Sequence, residues 1–482
     1  MLTSFLFFLA LFAGIGISSA WKARGTKQDY YIASGSVQPW LVGLSAVATN
    51  NSGYMFIGVI GYTYATGMAA FWLMVGWIAG DFLASLYIHR RLNRATAISG
   101  EVSYPGLLSN WYGQSHKKLQ LLAGLISLAF LLTYAGAQMV AGSKALYVLL
   151  DWPLWAGAVA AAVLIGAYCL AGGIRASIWT DAAQSIVMIV AMSALLIVAV
   201  YNLGGISASL DEMGKIEGYL DVFPSNLAVP GLAGGILFIV GWLFAGMSVI
   251  GQPHVMVRFM SLNDTSNMRR AKSWYYLWFT FFYFAATAVG LLSRVYFTDN
   301  NFDAELALPM LALELMPEFF VGIILAGVFA ATMSTADSLV LSCSAAITHD
   351  ILPGKNEQVG RLKITTIVIT LLALGLALMN NQSVFNMVIM SWSGLASAFA
   401  PLLFVLCLGA RPREWHAIGA MMLGFLVALG WRMLDWHILV YEGLPGIIAG
   451  FLFLVARPSL RKEIRQNRGL YQQHTAEKSE QG

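Results

Sequence analysis

The chain has 482 residues, of which 58% are hydrophobic and only 11% charged, with a formal net charge of +4 and a mean hydropathy of +0.70. A soluble protein carries roughly 25% charged residues, so this composition excludes an ordinary water-soluble enzyme and makes the lipid bilayer the chain's solvent. The small positive balance, with no basic stripe interleaved with aromatics, excludes nucleic acid as a partner.

Apolar runs set against Gly, Pro and charge punctuation predict an all-α polytopic membrane protein of thirteen spans. They lie near residues 2–21, 38–65, 69–89, 118–149, 153–173, 176–203, 229–256, 273–298, 308–348, 362–380, 384–409, 414–433 and 439–456. No Lys or Arg precedes the first apolar run, whereas Lys22, Arg24 and Lys27 follow it. That order suits a retained span with its N-terminus outside better than a cleaved signal peptide. The stretch 308–348 is too long for one crossing and is expected to include a surface helix. The loop near 90–117, with Pro105 and Gly106, is expected to form short surface helices.

Alternating sides from an outer N-terminus puts 24 of the 28 basic residues inside, Arg258 among them. The outer loops are acidic, with Asp211, Glu212, Glu217 and Asp221 in one and Asp299, Asp303 and Glu305 in another. This is the positive-inside pattern, and it predicts a multi-pass protein of the cell inner (plasma) membrane with a cytoplasmic C-terminus. Residues 1–457 form the expected membrane domain, and 458–482 a polar, disordered cytoplasmic tail. Cys169, Cys343 and Cys407 stand singly in apolar segments and read as packing residues.

Polar residues inside spans are costly and therefore mark function. The second span contains Ala48-Thr49-Asn50-Asn51-Ser52-Gly53, a run of poor helix formers that predicts a broken helix with freed carbonyls. In the seventh, Gly251-Gln252-Pro253-His254 predicts a second interruption. Two breaks five spans apart suit inverted repeats of spans 2–6 and 7–11. In the ninth, Ala331, Ser334, Thr335 and Ser338 share one helix face, offering oxygen atoms to a hard cation. Asp181 opens the sixth span and reads equally as a helix cap or a cation ligand. Asp81 has no evident partner in the sequence.

At these residues the chain resembles the sodium/solute symporter family, most closely its sodium/proline symporters. The stretches that carry the resemblance are LSAVATNNSG (44–53), GGIRASIWTDAAQ (172–184), GQPHVMVRFM (251–260), AATMSTADS (330–338) and WSGLASAFAP (392–401). The resemblance implies a LeuT-type, five-plus-five inverted-repeat core with one span before it and two after. It makes residues 1–457 a symporter domain and Na+ the coupling ion. That ion would be held by the carbonyls of Ala48, Asn51 and Ala331 and the hydroxyls of Ser334 and Thr335. A second sodium, found in some members, would use Asp181, Ser334, Asp337 and Ser338. The solute is expected against Asn50, Ser52, Gly53, Ala245, Val249 and Pro253.

The family's proline symporters have Asp in place of Asn50, and Trp and Tyr in place of Ala245 and Val249. A less aromatic pocket and a solute other than proline are therefore expected. The reading is sodium-coupled symport, by alternating access, of a small polar organic solute, an amino acid or related carboxylate; no enzyme is expected. Its alternatives are a proton-coupled carrier of the same fold, or a solute-sensing membrane protein or channel.

Overall fold

The computed structural model describes residues 1–227, 229–298, 303–353, 359–379 and 383–464. Apart from one isolated bridge, regular structure among these residues is entirely helical. Asp299, Lys355, Arg465, Arg468 and Lys478, used in the charge pattern, lie outside the described residues.

Among the described residues eleven helices are long and apolar enough to cross a membrane, and one of them, Pro39–Tyr87, runs for 49 residues. At ~1.5 Å per residue it would extend about 73 Å, more than twice the ~30 Å hydrocarbon core. Its contacts show that it crosses and returns. Before it, the Val37 N–H donates to Ser261 O at 3.1 Å; after it, His89 stacks on Phe259 at 3.9 Å. Midway, the Met68 N–H donates to Tyr219 O at 2.8 Å, on the opposite side of the molecule. Gly67 makes the turn at φ +71°, and a Cβ there would lie 2.3 Å from Tyr219 O, so only glycine fits. With Pro39–Tyr87 counted as two crossings, twelve spans are found among the described residues, and the 14-residue apolar helix Gly443–Ala456 stands at the place of the thirteenth predicted one.

The spans are α1 (Leu2–Ser18), α2 (residues 39–66), α3 (Phe71–Tyr87), α4 (Lys117–Leu150), α5 (Leu154–Gly172), α6 (Ile174–Asn202) and α7 (residues 232–260). They continue as α8 (Met268–Tyr296), α9 (Glu318–Ala345), α10 (Val359–Met379), α11 (Val384–Cys407), α12 (Glu414–Met433) and α13 (Gly443–Ala456). Burial sorts them into layers. The most apolar windows of α9 and α11 are each 89% buried, against 28% for α1 and α12, so α9 and α11 form the middle and α1 and α12 face lipid.

Lipid tails compete equally for apolar side chains, so helices in a bilayer are held by close backbone approach. The α3–α7 contact is of this kind. A Cβ on Gly80 would lie 1.9 Å from Leu243 O, and one on Gly246 2.2 Å from Trp77 O.

The overlong ninth segment resolves into a short helix, Ala307–Leu315, followed by α9. The 90–117 loop holds two short helices, His89–Ser99 and Tyr104–Ser109. The second does not lie on the surface: all six of its residues are buried, and the Tyr104 hydroxyl donates to Ile250 O at 2.5 Å. The segment expected to begin a disordered tail at residue 458 also differs. Pro458–Ile464 is helical after a 94° bend, Leu460 is buried, and Glu463 accepts from the Arg411 N–H at 2.9 Å. The remaining tail residues, 465–482, lie outside the described chain.

Candidate functional site

Both predicted interruptions are present. In α2 the helix Pro39–Gly53 breaks at Ser52 (φ 52°, ψ −178°) and continues through a widened π turn, Tyr54–Val59, into Ile60–Thr66. An unbroken helix would give the Gly53 N–H to Thr49 O; here it goes to Gln138 Oε1 on α4 at 2.8 Å. In α7, Leu232–Met247 tightens into a 3-10 turn, Ser248–Gly251, before Gln252 becomes extended and Pro253 starts the last segment.

The carbonyls freed in α2 meet the hydroxyl face of α9. Ser334 Oγ lies 3.2 Å from Ala48 O and 3.0 Å from Ala331 O, which brings three of the five expected sodium ligands together. Thr335 Oγ1 donates to Thr49 O at 2.9 Å, a carbonyl the sequence did not single out. Asn51 O accepts the Tyr54 N–H. All these residues are buried. The set is neutral, rich in oxygen and able to exchange hydroxyl-to-carbonyl bonds for a hard monovalent cation. The residues present therefore fit sodium.

One helical turn further along α9 the chemistry is ionic. Arg258, on the terminal segment of α7, is fully buried. Its guanidinium donates to Ser177 Oγ at 2.5 Å and to Ser338 Oγ, and lies 3.4 Å from Asp181 Oδ2 and 4.0 Å from Asp337 Oδ1. Asp181 accepts from Ser45 Oγ at 2.5 Å, and Asp337 from Ser177 and Ser338 at 2.9 and 3.0 Å. Asp181 therefore does not simply cap α6: its side chain bonds across to α2 and α7. The second expected cation set does converge, but around a fixed protein cation. Arg258, read from the sequence as an inner-loop charge, is a correction. The missed signal is the segment Pro253–Met260, whose eight residues are all buried and which leaves no solvated face for a charge.

The expected solute residues divide. Ser52 Oγ accepts from the Tyr134 hydroxyl at 3.1 Å, and Gly53 is tied to Gln138. Asn50 turns the other way, its Nδ2 donating to the Tyr275 hydroxyl. Ala245 and Val249 are fully buried in α7, and Pro253 lines a void of about 20 Å³ beside Arg258. Sequence reading missed the ring system around the breaks. His254 stands edge-on to Tyr134 at 5.4 Å, and Trp77 lies 5.3 Å from Trp392 and 5.6 Å from Tyr54. Aromatic surface absent at Ala245 and Val249 is thus supplied by α2, α3, α4 and α11. Asn51 Oδ1 and Nδ2, Gln138 Nε2, Gln252 Oε1 and both His254 nitrogens are buried there without a protein partner.

A vestibule of about 580 Å³ opens beside Glu305, Arg432 and Glu442. At its floor Tyr62 stacks on Phe385 at 4.8 Å, and Tyr54 on Phe385 at 5.4 Å. Above it Glu305 holds the α11 N-terminus, accepting from the Phe385 N–H at 2.9 Å and the Ser383 hydroxyl at 2.6 Å, and pairs with Lys144 at 2.6 Å. Outside the membrane on the opposite side, Asp29 meets Arg175 at 2.5 Å. Burial alone would raise its carboxyl, but the Arg24 N–H and Arg175 outweigh that and lower it below the usual 3.8.

Two interrupted helices five spans apart, with a neutral oxygen cluster between one break and a central helix, define a LeuT-type secondary transporter. The chain belongs to the sodium:solute symporter family, whose model matches residues 30–424. It is 27% identical to the high-affinity proline transporter PutP of Bacillus subtilis (strain 168), over 90% of this chain and 92% of that one. It is likewise 27% identical to the sodium/proline symporter of Escherichia coli (strain K12), over 92% and 90%. Among solved structures it is similar in fold to the substrate-bound, outward-open Na+-coupled sialic acid symporter, with a TM-score of 0.77, 18% identity, and coverage of 95% and 97%. It is also similar to Mhp1, a nucleobase-cation-symport-1 family transporter, with a TM-score of 0.58, 15% identity, and coverage of 91% and 97%. The protein is a multi-pass plasma-membrane symporter that couples sodium to the movement of a small organic solute.

Proposed function

We propose that the solute is an amino acid or a related small carboxylate, carried inward with sodium by alternating access and without catalysis. The observation that carries this reading is the set of unpaired buried polar atoms on Asn51, Gln138, Gln252 and His254, beside both helix interruptions. Unpaired buried polar groups cost ~1–3 kcal/mol each, and a zwitterion offers both donors and acceptors to satisfy them. The relatives named for proline make an amino acid the leading class. Proline itself is expected to fit poorly, because the rings converge from different helices and Ala245 and Val249 offer none.

Sodium in this reading sits among Ala48 O, Asn51 O, Ala331 O, Ser334 Oγ and Thr335 Oγ1, drawing the broken α2 onto α9. The ion thereby favours the solute-competent state by the difference in its affinity for the two states. The basic side faces the cytoplasm, the N-terminus is outside and the C-terminus inside; the vestibule beside Glu305 is then the outer mouth. The test is uptake of a labelled panel of amino acids and small carboxylates into proteoliposomes. An imposed sodium gradient should drive accumulation above equilibrium for one of these classes and only weakly for proline. Accumulation of none of them, or of proline in preference to the rest, would overturn the assignment.

A further inference from the structure

The interrupted turn of α2, residues 49–53, carries no charged side chain of its own. A buried carboxylate is nevertheless wired to it. Asp81 on α3 is fully buried and accepts from the Tyr275 hydroxyl at 2.5 Å and the Tyr276 hydroxyl at 3.1 Å. Tyr275, also fully buried, in turn accepts from Asn50 Nδ2. Three helices, α3, α8 and α2, are joined by this chain of side chains, two residues from the backbone break at Ser52.

The proton count fixes the direction of the chain. A phenol has one hydrogen to donate. With a carboxylate on one side, Tyr275 gives that hydrogen to Asp81, and its oxygen is left to accept. Only the NH2 end of the Asn50 amide can then face Tyr275, so Oδ1, the negative pole, is held on the other side. Without Asp81 the same hydroxyl could donate to Oδ1 and the amide could turn over, presenting its positive pole instead. The orientation of this amide matters because Asn50 lies between Thr49 and Asn51, in the turn whose carbonyls meet Ser334 and Thr335.

We propose that Asp81 is a positioning residue for sodium: through Tyr275 it fixes the Asn50 amide with its NH2 end on Tyr275 and its oxygen pole on the other side, supplying at one remove the charge that the interrupted turn lacks. The inference rests on the sodium assignment made above. It gives Asp81, for which the sequence offered no partner, a role in setting sodium affinity without contact with the ion.

Binding of radiolabelled sodium to the purified full-length protein tests it, with melting temperature measured alongside. Asp81→Ala should raise the sodium half-saturation by roughly five- to tenfold, the scale of one hydrogen bond. Asn50→Asp, which offers oxygen in either orientation, should restore it in the Asp81→Ala background. Should Asp81→Ala fail to fold, Tyr275→Phe keeps the ring and breaks the relay, and should shift binding in the same direction. Normal sodium binding with only a lowered melting temperature overturns the proposal, as does failure of Asn50→Asp to restore affinity. Ser334→Ala with Thr335→Ala is the reference. If that variant loses sodium while the relay variants bind it normally, only the relay falls; if all bind normally, the sodium site falls and the relay with it.

Discussion

A buried ion costs several kcal/mol even after the protein relaxes around it, unless partners satisfy it. Arg258 meets this cost with Ser177, Ser338 and two carboxylates, Asp181 and Asp337. Two acids face one fixed cation, and Asp181 Oδ1 and Asp337 Oδ2 have no protein partner. We propose that these two free oxygens are open to a mobile cation. Asp181→Asn should therefore flatten the sodium dependence of uptake, lowering its Hill coefficient toward one. Unchanged cooperativity in initial-rate measurements would leave Asp181 as a structural partner of Arg258 alone. At the neutral cluster the stakes differ, because Ser334→Ala with Thr335→Ala removes two oxygen ligands and no charge. Uptake by that variant should need at least tenfold more sodium for half-maximal rate, about 1.4 kcal/mol, while insertion into the membrane is normal.

Helix interruptions were the most legible elements, since Asn-Asn-Ser-Gly and Gly-Gln-Pro carry their conformational preference in the local sequence. The meeting of Ser334 with the Ala48 and Ala331 carbonyls followed from the same stretches and from the i, i+3, i+4 face of α9. What pairing each polar group found was not legible. Asp81 meets Tyr275 on α8, and Asp181 meets Arg258 on α7, across 194 and 77 residues of chain. Local propensity contains no term for such contacts. Arg258 was misplaced for a related reason: charge patterning assumes that basic residues near span ends reach water. In the Asp29–Arg175 pair a cation at a span end holds an element in position, tying the short helix Lys27–Ile32 to the start of α6. Its carboxyl is lowered in the folded protein, so the pair stabilises above the unfolded value of 3.8 and loses that contribution as pH falls below it. Asp29→Asn should lower the melting temperature by a few degrees at neutral pH. The gap from the unaltered protein should close as melts are taken progressively below pH 3.8; a gap independent of pH would mean that packing, not charge, holds the joint.

On the scale of the whole molecule, the spaces on the two sides of the helix breaks are unequal. The vestibule near Glu305 holds about 580 Å³, whereas the void beside Arg258 and Pro253 holds about 20 Å³. The stacked rings of Tyr54, Tyr62 and Phe385 separate the vestibule from the helix breaks, and Tyr104 fastens the 104–109 helix to Ile250 on the other side. Release to that side would require the Tyr104 contact to part. Tyr104→Phe, which removes one buried hydrogen bond, should shift the population toward the other access state, with labelling of a Ser342→Cys variant, at a position lining the void beside Arg258, accelerated severalfold. Equal labelling rates would show that the gate is held elsewhere.

A cavity of this size carries a further consequence. At ~30 Å³ per molecule of liquid, the vestibule holds on the order of twenty waters, and closing it against the solute must return them to bulk. Each turnover is thus coupled to hydration as well as to sodium. Polymers too large to enter would draw water from the vestibule and favour its collapse, whereas small osmolytes that penetrate would not. Transport should therefore respond to osmotic pressure according to the size of the osmolyte, even at constant sodium and solute activity.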